Sequence, residues 1–119
     1  MKLAVVTDED GNFVPLDMGS RISVIDTDEK KIIQYENPGY NKPHGGKEIA
    51  MATILRFQPD AIVAVPGSMC PGSYRMSLNR TRYVLPKGSN LEEFLPELQD
   101  VEKLPLLEEL PVEIYREDY

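Results

Sequence analysis

The sequence predicts an α/β domain of three layers, a mixed β-sheet with helices on both faces. Three observations predict it. Residues 2–7 (KLAVVT) and 61–65 (AIVAV) are short β-branched, apolar runs that read as buried strands. Residues 21–27 (RISVIDT) and 31–36 (KIIQYE), separated by a polar turn, read as an antiparallel hairpin. Residues 47–57 (KEIAMATILRF) have helical spacing and lie between the hairpin and the second buried run. A strand–helix–strand connection of this kind crosses over right-handed and pairs its strands in parallel. With 119 residues the chain is one domain, large enough for a core without disulfides or structural metal.

Taken in order, residues 2–7 form a central strand, and Asp8–Asn12 (DEDGN) is a turn signal. Residues 13–20 follow as a loop broken by Pro15 and Gly19. In the hairpin, Ile22 and Val24 share one face with Asp26, and Ser23, Ile25 and Thr27 share the other. Residues 37–46 (NPGYNKPHGG) make a loop that is long for so small a domain, a length often tied to function. Met51, Ile54 and Leu55 set the apolar stripe of the helix over residues 47–57, and Pro59 stops it. A strand at 61–65 leads into a glycine-rich loop and a short helix over 71–80 that begins at Pro71. Residues 81–85 (TRYVL) give a further strand. Asn90 and Glu93 have the spacing of a capping box for a last helix. The order β-β-β-α-β-α-β-α puts the hairpin at one sheet edge and the last strand at the other, an RNase H-like arrangement.

Residues 1–95 hold these elements, and residues 96–119 read as an acidic C-terminal extension, partly ordered or docking. The net charge of −7 divides into +1 over residues 1–91 and −8 over residues 92–119. Leu98, Val101, Leu104, Leu107 and Leu110 form an interrupted apolar stripe, and residues 111–115 (PVEIY) alternate like an edge strand. No basic stripe suited to nucleic acid is present. No apolar run approaches the roughly 20 residues of a membrane span. The N-terminal residues, with acids directly after a short apolar stretch, do not read as a signal peptide. A single cysteine fits a reducing, cytoplasmic setting, and with a single histidine it leaves no Cys/His zinc set.

Four segments together carry a family resemblance: KLAVVTDEDGNFV, MGSRISVIDTDEKKI, YENPGYNKPHGG and FQPDAIVAVPGSMCPGSY. In this order they resemble the dinitrogenase iron–molybdenum cofactor biosynthesis family, over residues 1 to 95. The resemblance implies a non-enzymatic binding or carrier domain for an anionic metal–sulfur cluster, of iron–sulfur or iron–molybdenum type. The chain departs from the family at Leu16-Asp17-Met18-Gly19-Ser20-Arg21, where members often carry a histidine just before a glycine-arginine pair; here that histidine is absent and a serine is inserted. The alternative, for a member without that histidine, is a cluster-free interaction or scaffold protein of the same fold that reaches a protein partner through its acidic extension.

The candidate site is the loop after residues 61–65. Gly67, Ser68, Gly72 and Ser73 offer backbone N–H groups and hydroxyls to a cluster or small anion at a helix start. The bland alternative is a tight strand-to-helix connection. Cys70 lies in the same loop, and a helix N-terminus favours the thiolate, the ligand form of cysteine; an inert buried thiol is the commoner fate. His44 lies in the long loop, free to ligate metal if that loop folds over the strand ends. Cys70 and His44 are thus the candidate metal ligands. Arg21 and Lys47 are cations suited to balance an anion. Met18, Met51, Met69 and Met76 read as core filling. Asp8 reads as a turn former, because a two-metal nuclease needs several converging carboxylates and Asp60 sits at the opposite sheet end.

Overall fold

Five strands form in the computed structural model, which describes residues 1–116: β1 (Lys2–Thr7), β2 (Arg21–Asp26), β3 (Lys31–Glu36), β4 (Ala61–Val63) and β5 (Arg82–Val84). They lie in the order β3-β2-β1-β4-β5. β1 is antiparallel to β2 and parallel to β4, β2 is antiparallel to β3, and β4 is parallel to β5. The mixed sheet, with the hairpin at one edge and the last strand at the other, is the one the sequence predicts.

Alternation along β1 divides the core. Ala4 and Val6 join Ile22, Val24 and Ile62 on one face, under Met51 and Ile54 of α1 (Gly46–Arg56) and Tyr74 of α2 (Pro71–Ser77). Leu3 and Val5 join Ile25, Val63 and Val84 on the other, under Phe94 of α3 (Leu91–Phe94). Phe13 meets Phe94 edge to face at 5.7 Å. The helices therefore cover both faces.

Element ends depart from the sequence reading for local reasons. α2 stops at Ser77, short of residue 80, because Leu78 turns extended and Asn79 takes φ +65°. The box expected at Asn90 and Glu93 is half made. The Asn90 side chain accepts the Glu93 N–H at 2.8 Å, but the Glu93 carboxylate turns to the N–H and hydroxyl of Ser89. Met51 and Met69 are fully buried, whereas Met18 is 63% exposed and fills no core.

Past residue 95 the chain makes two 3₁₀ turns, Leu95–Leu98 and Val101–Lys103, and a last helical turn, α4 (Val112–Tyr115). The edge strand expected over residues 111–115 is therefore helical. The place beside β5 is already taken, since Tyr83 and Leu107 exchange backbone bonds of 2.9 and 2.8 Å. Leu110 and Ile114 are buried in the α1–α2 core, and Tyr115 stacks on Tyr74 with centroids 4.2 Å apart. The last residues of the predicted extension, 117–119, lie outside the described residues.

Candidate functional site

The chain leaves the carboxyl end of β4 and turns at Gly67, which has φ +76°, before entering α2. The N–H groups of Gly67, Ser68, Met69, Cys70 and Ser73 are engaged within the protein. The Gly67 N–H donates to the Glu113 carbonyl at 3.0 Å, the Met69 N–H to the Ile114 carbonyl at 3.1 Å, and the Ser68 N–H to the Val65 carbonyl at 3.0 Å. The Ser68 hydroxyl accepts from the Val65 N–H, and the Ser68 carbonyl accepts from the Leu16 N–H. At the start of α2, the Ser73 N–H donates to Cys70 Sγ at 3.3 Å and the Cys70 N–H donates to Ser73 Oγ at 3.0 Å. This reciprocal pair is a full capping box made by a cysteine and a serine. Most of the N–H groups that the loop was expected to offer to an anion instead hold the C-terminal strap, turn the loop and close its own helix.

Cys70 is 6% exposed. Its thiol lies 3.1 Å from Glu48 Oε1, as donor to that carboxylate, and 3.3 Å from the Ser73 hydroxyl. Glu48 stands in the first turn of α1. A Cβ on Gly72 would lie 3.0 Å from the same Oε1, so glycine leaves room for the carboxylate there. Lys47, in the same turn, reaches the Gly67 carbonyl at 3.5 Å. The starts of α1 and α2 therefore adjoin, bridged by Glu48 and Lys47.

The start of α1 differs from that of α2. Its N-cap, Gly45, has φ +71° and no side chain caps the helix. Uncapped first-turn N–H groups carry the positive end of the helix dipole. His44, exposed, directly precedes this cap. The side chain that the structure brings to Cys70 from this region is Glu48, not His44.

Asn37 ties the long loop down. It is 6% exposed; its side-chain amide donates to the Leu16 and Gly19 carbonyls at 2.8 Å each, and its side-chain oxygen accepts the Gly39 N–H at 3.0 Å. Gly39 then passes so close to the helix start that a Cβ on it would lie 2.1 Å from the Gly46 carbonyl oxygen.

The other sequence candidates lie elsewhere. Arg21 donates to the Gln34 side chain at 2.9 Å, and Gln34 donates to Ser23, which hydrogen-bonds Thr7. Arg21 also lines a cleft of about 650 Å³ with Glu9, Ser20, Glu36 and Tyr40 at the end of the hairpin. Neither Cys70 nor His44 lines that cleft. Asp60 accepts the Lys2 N–H at 2.7 Å, at the start of β1.

Asp8 shapes the turn after β1, accepting from the Asn12 side chain and from the Asn12 and Asp10 N–H groups. The Asn12 side-chain bond, and then the Asn12 backbone bond, hold its carboxyl below the ordinary value. Asp26 and Glu93 are lowered in the same way, first by the Glu29 N–H and the Ser89 N–H respectively. A carboxylate lowered on folding contributes stability above its unfolded value and loses it as pH falls through the folded one. Urea midpoints are therefore expected to hold from neutrality to about pH 5 and to fall steadily below it. Asp8→Ala is expected to shallow that acid fall; an unchanged acid slope would count against the Asp8 contribution.

Sequence reasoning missed Glu48 and Asn37 as parts of this site. Glu48 carried a weak signal, an acid in the first turn of a helix with no capping side chain. Asn37 carried a stronger one, an Asn-Pro-Gly run opening a long loop.

No protein-family model matches the chain, and no curated protein matches it in sequence. Among solved structures, it is similar in fold to the apo form of the orange protein from Desulfovibrio gigas, with a TM-score of 0.70. The match covers 88% of this chain and 91% of that chain at 12% identity. It establishes a shared small α/β architecture across nearly the whole of both chains.

Proposed function

We propose that this chain is a non-enzymatic binding domain for a small anionic metal–sulfur cluster or related ligand, held where the start of α1 meets the start of α2. The observation that carries this reading is the thiol of Cys70, fixed at the α2 N-cap by Ser73 and facing Glu48 of α1. Two further features support it. The resemblance to the dinitrogenase iron–molybdenum cofactor biosynthesis family points to cluster carriage, and the like-folded orange protein was solved in its apo form.

Among the described residues, no three His, Cys, Asp or Glu side chains gather as a metal site. A bare ion thus lacks a ligand set, whereas a cluster that brings its own sulfides needs few protein ligands. Cys70 serves as the anchor and His44 as the second ligand from the exposed loop. The uncapped N–H groups of α1 and the Lys47 ammonium balance the negative charge. Binding a thiolate releases a proton, and the Glu48 carboxylate, 3.1 Å from Sγ, is placed to receive it. The predicted anion site moves accordingly, from the Gly67–Ser73 amides to the uncapped entry of α1, with Gly67, Ser68, Gly72 and Ser73 shaping the wall around Cys70. A free thiol suits a reducing compartment such as the cytoplasm.

Anaerobic reconstitution with ferrous iron and sulfide tests the reading. Wild-type protein is expected to keep visible-range absorption after desalting, Cys70→Ala to lose it, and His44→Ala to retain less. Wild-type protein that comes through colourless favours the cluster-free interaction role instead. Colour that is the same in all three proteins removes the assigned ligands.

A further inference from the structure

The cleft of about 650 Å³ at the end of the hairpin takes no part in the proposed cluster site. Its volume is within the range of small-molecule pockets, roughly 300–1,000 Å³. Arg21, on its wall, is the register partner of Thr7, the last residue of β1. The cleft therefore opens at the carboxyl end of β1, the end of an α/β sheet where ligands bind.

Arg21 reaches the cleft from a fixed base. Thr7 and Ser23, both fully buried, hydrogen-bond each other at 3.0 Å. Ser23 Oγ accepts from the Gln34 amide at 3.1 Å, and the Gln34 side-chain oxygen accepts from Arg21 Nη1 at 2.9 Å. A satisfied polar network of this kind holds its members rigidly. A guanidinium has five N–H donors, and Gln34 uses one of them. Glu36 lies directly across from Arg21 in the β2–β3 register, yet the two form no ion pair. Glu9, in the turn after β1, lines the same cleft. Among the described residues, neither glutamate's carboxylate has a hydrogen bond or an ion pair. Ser20, beside Arg21, lines the cleft as well. Its hydroxyl is the one buried side-chain oxygen or nitrogen, among the described residues, without a partner. An unmet buried hydroxyl costs stability. Serine re-aims its hydroxyl by a turn between staggered χ1 positions, so a ligand in the cleft can supply the missing partner.

We propose that this cleft binds a free α-amino acid, at a site separate from that of the cluster. The Arg21 guanidinium takes the carboxylate in the two-pronged geometry that arginine offers such a group. Glu36 and Glu9 take the ammonium, and Ser20 supplies a further hydrogen bond. Tyr40, 46% exposed on the cleft wall, offers its ring to an apolar or aromatic side chain. Two carboxylates against one guanidinium leave the cleft net negative, which turns away an anionic cluster. A molecule with a carboxylate and an ammonium on one carbon answers both signs of charge at once.

Amide-resolved NMR titration of the full chain, free of any cluster, with L-phenylalanine tests this. Saturable shifts are expected at the Ser20, Arg21, Glu36, Asn37 and Tyr40 amides. Hydrocinnamate, which keeps only the carboxylate, and phenethylamine, which keeps only the ammonium, are expected to bind about tenfold more weakly or worse. Arg21→Gln and Glu36→Gln are each expected to weaken L-phenylalanine by about tenfold or more. Glu36→Gln and Ser20→Ala remove no side-chain bond within the chain, so they keep the test open if Arg21→Gln disturbs the Gln34 network; circular dichroism checks each fold. Ser20→Ala is expected to weaken binding as well. The absence of saturable shifts, or shifts centred outside the cleft, overturns the proposal. So does equal binding of either singly charged analogue, or binding that ignores Glu36→Gln.

Discussion

Deleting residues 107–119 is expected to unfold the domain or to bring its urea midpoint close to zero. The deleted stretch bears −4 of the −8 carried by residues 92–119, yet its inner side belongs to the core. Leu110 and Ile114 are 6% and 2% exposed and pack with Met51, Ile54 and Tyr83. Removing a buried leucine or isoleucine side chain costs about 2–5 kcal/mol each, against a total stability of roughly 5–15 kcal/mol for a domain. The deletion also removes the Leu107 bridge to Tyr83 and the Tyr115 stack, and leaves the Tyr74 hydroxyl without the Leu110 N–H that it accepts at 3.0 Å. Ile114→Ala isolates a part of this and is expected to lower stability by about 2–5 kcal/mol with the fold retained. Urea titration followed by circular dichroism measures both. A shortened chain with the midpoint of the full chain would show that the strap only lies against the body.

Asn37→Ala is expected to cost about 2–4 kcal/mol, more than any exposed-loop substitution in this chain. The buried side chain satisfies the Leu16 and Gly19 carbonyls and the Gly39 N–H together. Each buried polar group left unpaired costs roughly 1–3 kcal/mol, with partial relief where water enters. Asn37→Asp keeps the acceptor for Gly39 but turns a carboxylate oxygen toward two carbonyl oxygens. It is expected to be at least as damaging at neutral pH and to recover in acid, where a protonated carboxyl donates again. The loop that Asn37 pins leads to His44 and the α1 start, so both variants are also expected to blunt cluster retention. Equal urea midpoints for wild type and Asn37→Ala would contradict this account of the loop.

The sheet was legible because its signals are local. β1 is a β-branched run, the hairpin alternates, and α1 shows its stripe at Met51, Ile54 and Leu55 with Pro59 beyond. The end of α2 was not legible, since it is set by the positive φ of Asn79 rather than by a breaker. The course of the strap was hidden by Pro105 and Pro111, which interrupt the periodicity that Leu107, Leu110 and Ile114 would otherwise show. In the site, the thiol, the histidine and the glycine loop were visible as residue types. Their hydrogen bonds were not. Glu48 reaches Cys70 from 22 residues away only because α1 packs on α2. The loop amides lose their availability to carbonyls of Glu113 and Ile114, more than 40 positions further along the chain.

The central claim is that the cluster docks at the junction of α1 and α2, on Cys70, rather than in the hairpin cleft beside Arg21. Amide-resolved NMR of the reconstituted, paramagnetic protein tests it most directly. Selective broadening of the Gly45–Glu48, Cys70 and Gly72 amides is expected, absent in Cys70→Ala. Broadening centred on Arg21, Glu36 and Tyr40 would contradict it.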